Sequence, residues 1–293
     1  MLTDKNDNLF IGSSALILEI FLSMLIAIIV KYLSPTVPVV IALFARYLFS
    51  LPILFAIGAF QRKKNILQIN DIKTLSLRII AGFLGLLFWF LAVSAIEISK
   101  ATALLQTMVF FITILSHFIL NEKITRLHLL AVLIGFIGAI ILIDPNTTGW
   151  LNFGVLYGLA APLSAAFMFV FLRRLGKSEV PISTALWYNL FGTLLTFFWI
   201  LITETKVEIS YNLIIILCLL GVIASFQQFL LPLSHKFSEA SILAPLQYLA
   251  IPMAIATGHF LFKEAMNFHF FFGTFVIVGS SYFIFWNKKA NPK

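Results

Sequence analysis

Apolar residues run along this chain in blocks of roughly 17–25, and short groups of charges, Pro, Asn or Gly break them. A block of that length crosses a hydrocarbon core about 30 Å thick as an α-helix. Ten such helices are predicted, at about 10–33, 37–60, 76–96, 101–120, 127–143, 152–173, 182–202, 212–234, 239–262 and 268–286. The breaks are short, so successive helices should be antiparallel neighbours and no soluble domain is expected. The widest break, 61–75, holds Arg62, Lys63, Lys64 and Lys73.

The pattern repeats. His117-Phe-Ile-Leu-Asn-Glu122 and His259-Phe-Leu-Phe-Lys-Glu264 lie 142 residues apart, and each closes one apolar block shortly before another opens. The same offset relates Gly12 to Gly154, Lys31 to Arg173 and Leu48-Phe49 to Leu190-Phe191. An offset of 139 fits better for Gly82 with Gly221, Ser99 with Ser238 and Ala101 with Ala240, which gives the ninth helix about one extra turn. Five helices per copy is an odd number, so the second copy must insert upside down. The expected fold is therefore an all-α integral membrane protein of ten transmembrane helices, built as two inverted five-helix repeats over 1–145 and 146–293. Inverted repeats provide two halves that can rock about a central site.

Composition agrees with lipid as the solvent. Hydrophobic residues make up 61 %, charged residues 11 %, and the mean hydropathy is +1.03. The net charge of +8 comes from cations spread between apolar blocks, not gathered on one face, which argues against nucleic acid as a partner. With both termini placed in the cytoplasm, 15 Lys and Arg fall on the inner side and four on the outer, Arg78 counting among the inner ones and Arg46 lying within a span. Cys218 is the single cysteine, so no intrachain disulfide can form. The five histidines are scattered without a ligand pair, so no metal is expected, and no cofactor either. The first block is too long for a signal peptide and is read as a retained helix.

Ten helices, a five-plus-five duplication and a Glu after the fourth and ninth blocks resemble the EamA-type branch of the drug/metabolite transporter superfamily. The most similar segment is Ala240 to Glu264, with Ala244-Pro245-Leu-Gln-Tyr248-Leu, Pro252 and the closing Glu264. Arg46-Tyr47-Leu-Phe49 is similar to the Arg-aromatic stretch of the family's second helix. The resemblance covers about 10–286 and implies a cavity lined from both halves, with helices 5 and 10 peripheral. The first helix departs from the family's common Trp-Gly pair and carries Glu19 instead. An acid in that helix is similar to the small multidrug resistance relatives.

Glu19 lies roughly 13 Å into the first helix and Arg46 roughly 13 Å into the second from the opposite edge, so both sit near the midplane. An isolated charge there costs at least ~2.5–3.5 kcal/mol. Each therefore needs a partner or a wet cavity. One reading is a structural Glu19–Arg46 ion pair. Another has Glu19 take up a proton or a cationic group while Arg46 holds a carboxylate or phosphate. In a third the two never meet. Gln106, Asn189, Gln227, Gln228, Gln247 and Tyr248 lie inside predicted helices and need hydrogen-bond partners, from neighbouring helices or from substrate. Trp89 and Tyr248 suit a pocket wall, being aromatic with a polar tip, and Trp187 fits an interfacial anchor as well. His117 and His259 are candidates for proton relay or for interfacial packing. Glu122 and Glu264 read as helix caps or partners of Lys123 and Lys263. Pro162, Pro232, Pro245 and Pro252 fall within predicted helices, where they favour kinks. Gly82 with Gly85, Gly135 with Gly138, and the alanines at 160–161 and 165–166 offer small surfaces for close packing.

The function expected is secondary transport of a small polar metabolite, an amino acid or related compound, by alternating access. No Walker motif is present, so an ion gradient or exchange must drive it, with protons or a counter-substrate as partners. Uptake of S-adenosylmethionine or a similar nucleoside-type metabolite is the alternative, followed by multidrug efflux. An enzyme would need paired acids, or a His with an acid, at the membrane face, and the short loops offer only scattered candidates. A scaffold or sensor would want a soluble output domain. Lys outnumbering Arg suggests an AT-rich bacterial genome and an inner-membrane location. Two complete repeats suit a monomer.

Overall fold

Asp71 shows how local chemistry sets the helix boundaries here. Its side chain accepts the Thr74 amide at 3.0 Å and the Thr74 hydroxyl at 2.7 Å, satisfying donors that the first helical turn leaves over. That cap starts the third helix at Ile72, a turn earlier than hydropathy alone suggests. Pro181 similarly opens a helix from its first position, where its missing N–H costs nothing.

The computed structural model describes residues 9–62, 66–120, 126–143, 152–175, 179–237 and 246–290. Its helices are α1 (Leu9–Leu33), α2 (Val39–Arg62), α3 (Ile72–Ala95), α4 (Ile98–Leu105), α5 (Met108–Leu120), α6 (Arg126–Ile143), α7 (Phe153–Leu175), α8 (Pro181–Thr203), α9 (Tyr211–Phe237), α10 (Ala250–Phe262) and α11 (Phe268–Ala290). Among the described residues there is no strand. Among the described residues seven segments are long and apolar enough to cross a membrane, α4 and α5 together forming one of them. Within the three remaining predicted segments lie shorter apolar helices, Leu129–Leu142, Ala250–Phe262 and Phe268–Ser280.

Two expectations about helix continuity need correcting. The fourth predicted span, drawn as one helix over 101–120, starts at Ile98 and breaks at Gln106-Thr107. There the Thr107 hydroxyl donates to the Leu104 carbonyl at 2.7 Å and the backbone tightens to i→i−3 bonds, which interrupts the α ladder. Pro252 falls in the first turn of α10, where no backbone donor is lost. Pro162 does lie inside α7, and Pro52, not singled out from sequence, lies inside α2. Pro245 and Glu122 lie outside the described residues.

The helices form two compact units, each drawing on both halves of the chain. One comprises residues 1–79 and 175–249. In it α1 packs on α9, α9 on α2, and α2 on α8, so α9 and α2 are its middle helices. Close approach at two glycines holds this row together. A Cβ on Gly192 of α8 would come 2.7 Å from the Tyr47 ring, and one on Gly221 of α9 would run into Phe49 of α2. The other unit comprises residues 80–174 and 250–293, in which α6 packs on α11 and α4 on α10. Gly138 of α6 and Gly273 of α11 let those two backbones meet, and Gly85 of α3 lies against the Ala165 backbone of α7. Large apolar side chains such as Leu130, Leu133, Ile134 and Ile137 of α6 point outward, as lipid-facing positions do.

Glu264 follows α10 through Lys263, whose left-handed φ of 53° turns the chain back. Its carboxylate accepts the amides of Ile98 at 2.6 Å and Ser99 at 3.2 Å, and the Ser99 hydroxyl at 2.7 Å. The sequence reading of Glu264 as a helix cap thus holds, the capped helix being α4. Gly258 leaves the room: a Cβ there would collide with both Glu264 and Ser99. Replacing Glu264 by Gln points an NH2 at amide donors and should cost about 1–3 kcal/mol. Thermal unfolding of the purified protein checks this, and an unchanged midpoint would contradict the cap.

Candidate functional site

A carboxylate in the middle of an apolar helix has few ways to be satisfied, and Glu19 uses two of them. It is only 6 % exposed, on α1. Its Oε1 accepts from the hydroxyl of Ser23, one turn on, at 2.9 Å, and from Nε2 of Gln227 at 2.8 Å. Gln227 belongs to α9. Its Nε2 also reaches Ser23 Oγ at 3.1 Å, while its Oε1 accepts from Nη2 of Arg46 on α2 at 3.1 Å. The amide therefore turns its donor end to the carboxylate and its acceptor end to the guanidinium. Glu19 and Arg46 make no direct ion pair. The reason is helix order: α9 packs against both α1 and α2 and places a side chain between them.

From Arg46 the polar chain continues through aromatic rings. Arg46 is 1 % exposed, and its guanidinium carbon lies 5.5 Å from the centre of the adjacent Tyr47 ring. The Tyr47 hydroxyl is 3.0 Å from that of Tyr188 on α8, and the two rings meet edge to face at 5.4 Å. Over the Tyr188 ring, at 4.3 Å, sits the guanidinium of Arg78 from the second turn of α3. Arg78 was counted from sequence with the inner-face cations; the structure buries it at 4 % exposure. Ser50 anchors α2 at this level by donating to the Arg46 carbonyl, and its hydroxyl lies 3.1 Å from the Gly221 carbonyl of α9.

Of the other residues proposed from sequence, Asn189 is fully buried on α8, its Nδ2 donating to the Ala185 carbonyl at 2.8 Å and its Oδ1 having no partner in the protein. Gln228 is buried beside Gln227 on α9. Gln247 and Tyr248 belong to the same unit; Gln247 is helical, as predicted, whereas Tyr248 stands in the turn just before α10. Trp89 and Gln106 belong to the other unit. Trp89 packs against Phe90 with its indole N–H unpaired in the protein, and Gln106 is buried at the α4–α5 break. Trp187 donates to the Leu67 carbonyl at 2.9 Å while remaining partly exposed, in keeping with an anchor. His117 and His259 are both exposed, each ring 5.2 Å from the Phe that follows it.

Sequence reading overlooked Arg78, Tyr188 and Ser23. The Asp71-x-x-Thr74 cap carried the signal for Arg78, because a helix starting at Ile72 puts residue 78 inside the span. Separately, a cavity of about 710 Å³ lies in the same unit, lined by Tyr32, Thr36, Lys206, Glu208, Ser210 and Asn212 among others. None of the network residues lines it. Among the described residues no cluster of His, Cys, Asp or Glu could hold a metal.

A polytopic helical protein with ionisable groups joined inside its apolar body has the general character of a membrane carrier. Comparison with known proteins makes that specific. A crystal structure of a protein matches with a TM-score of 0.68 at 15 % identity, over 97 % of this chain and 98 % of that one, a likeness of fold. The EamA-like transporter family model matches twice, at residues 10–144 and 152–286, and the chain belongs to that family. It is 28 % identical to a riboflavin transporter of Brucella anthropi over 71 % of this chain and 74 % of that protein. It is 24 % identical to an S-adenosylmethionine uptake transporter of Rickettsia prowazekii over 89 % of this chain and 87 % of that one. The chain is thus a multi-pass membrane transporter with a small-molecule substrate.

The contact between Gly192 and Tyr47 is the most economical place to disturb this network without removing a polar group. Gly192→Ala puts a methyl group into the Tyr47 ring and should displace it from Tyr188. Overpacking of this kind costs about 1–3 kcal/mol, and the variant should unfold at lower temperature. A crystal or cryo-electron microscopy structure of the variant with the Tyr47–Tyr188 contact unchanged would contradict the assignment.

Proposed function

We propose that this chain is a secondary transporter that moves a small polar metabolite, an amino acid or a related compound, across a bacterial inner membrane by alternating access. The observation that carries this reading is the Glu19–Gln227–Arg46 network, which holds an acid and a base inside the apolar body of a family of transporters. Opposite charges separated by one neutral amide are held apart yet linked. Glu19 can then exchange a proton or a cationic substrate group while Arg46 stays fixed through Gln227. The arrangement proposed is ten spans in two inverted repeats, 1–145 and 146–293, with both termini cytoplasmic, working as a monomer and driven by protons or a counter-substrate. Gln228, Asn189, Gln247 and Tyr248 in one unit, and Trp89 and Gln106 in the other, are proposed as further substrate-facing groups.

A second reading is uptake of S-adenosylmethionine or a similar nucleoside-type metabolite. The name of the Rickettsia relative, which matches over most of both chains, favours it.

Both readings are tested by reconstituting the protein into liposomes with labelled amino acids, S-adenosylmethionine and riboflavin, with and without a pH gradient. Wild type should accumulate one of these classes, and Glu19→Gln should lose gradient-driven accumulation by tenfold or more, about 1.4 kcal/mol or greater. Accumulation that ignores the gradient and survives the substitution would leave Glu19 a structural role only. Absence of flux for every compound would contradict the transport reading for these classes.

A further inference from the structure

Among the described residues of the first unit, two arginines are buried without acids to balance them. Arg46 and Arg78 are each at least nine-tenths buried, and each leaves its Nε and Nη1 without a hydrogen-bond acceptor in the protein. Neither makes an ion pair; among the described residues the ion pair found is Lys100 with Glu97, in the other unit. Among the described residues of this unit the buried carboxylate is Glu19, which Gln227 holds off from Arg46. Two guanidinium groups thus face one carboxylate. Among the described residues the cluster is short of one negative charge even when Glu19 is ionised.

The groups around the arginines do not supply that charge. Tyr47 and Tyr188 offer ring faces to the two cations and direct their hydroxyls at each other. The edge-to-face contact of the two rings links the residues that carry both guanidinium groups, and each guanidinium keeps free donors. Cations held rigidly with unused N–H groups in a water-poor setting are what a carboxylate or a phosphate needs for charge-assisted hydrogen bonds. A neutral ligand would leave the charge deficit in place, at the cost that buried unpaired charge carries.

We propose that Arg46 and Arg78, set by the Tyr47–Tyr188 pair, form a seat for an anionic oxygen group on the transported molecule, a carboxylate or a phosphate. This rests on the transport reading above and adds to it the chemical class of the group that the carrier selects. Arg78 is the new member. It acts on the ligand directly, whereas Tyr188 positions it.

The test is direct binding to the purified full-length protein, followed by ligand-dependent thermal stabilisation, with matched pairs as probes. One pair is an α-amino acid and its carboxamide; the other is a nucleoside and its 5′-monophosphate. The anionic member of at least one pair should bind about 10- to 100-fold more tightly, the range for hydrogen bonds to charged groups. Which pair discriminates distinguishes a carboxylate from a phosphate. Arg78→Gln and Arg46→Gln should each abolish most of the difference. Arg78→Lys, which keeps the charge without the planar fork, should retain part of it and serves if the Gln variants do not fold. Equal binding within both pairs, or no binding by any member, overturns the proposal, as does discrimination that survives substitution at both arginines. Transport of a neutral member by wild type would likewise overturn the anion seat while leaving the transport reading intact. Anion binding that needs both arginines, without flux of any compound, would uphold the seat and count against the transport reading instead.

Discussion

Charge inside an apolar body is the constraint on which the first unit depends. Removing an ionised side chain from water costs several kcal/mol, even after relaxation, and the fold has to return that through partners. Here the return is spread across the helix row. Glu19 on α1 meets Gln227 on α9, Gln227 meets Arg46 on α2, Tyr47 on α2 meets Tyr188 on α8, and Tyr188 carries Arg78 from the start of α3. From α1 to α8 the polar chain visits the helices in the order in which they pack. Shifting any one of these helices by a turn would break a contact in the chain, so the network also specifies the register of the row.

Glycine makes the route passable. Gly192 opens α8 to the Tyr47 ring, and Gly221 brings α9 close enough to α2 for Ser50 to lie against its carbonyl. Small residues serve the other unit in the same way, at Gly138 with Gly273 and at Gly85 with Ala165. In lipid no hydrophobic gain rewards helix contact, so close backbone approach and interhelical hydrogen bonds do that work. The two units differ in what they hold together: the first joins charges, whereas the second is pinned by Glu264 on the N-terminus of α4.

Most helices were legible because block length and hydropathy determine a span almost alone. Glu19 and Arg46 stood out for the same reason, as charges inside apolar blocks. Their relation was not legible. Nothing in the sequence says that α9 comes between α1 and α2, so a direct pair and a bridged one read alike. Arg78 was lost to its neighbourhood, since Lys73 and the basic 61–75 break made it look like a loop cation. The break at Gln106-Thr107 was hidden because a hydroxyl bonding back to its own helix leaves no mark on hydropathy. Tyr47 and Tyr188 illustrate a further limit. Arg46-Tyr-Leu-Phe49 and Tyr188-Asn-Leu-Phe191 lie 142 residues apart, an offset that sets Tyr47 against Asn189 and does not disclose that Tyr47 meets Tyr188.

The most direct test of this account is a double-mutant cycle on unfolding free energy between Glu19→Gln and Arg46→Gln, run once with Gln227 present and once with Gln227→Leu. If the amide carries the coupling, the two sites should interact by about 0.5–3 kcal/mol with Gln227 in place and lose most of that without it. Additive effects in both backgrounds would contradict the bridged network, and coupling that persists in the Leu background would mean the two charges meet directly.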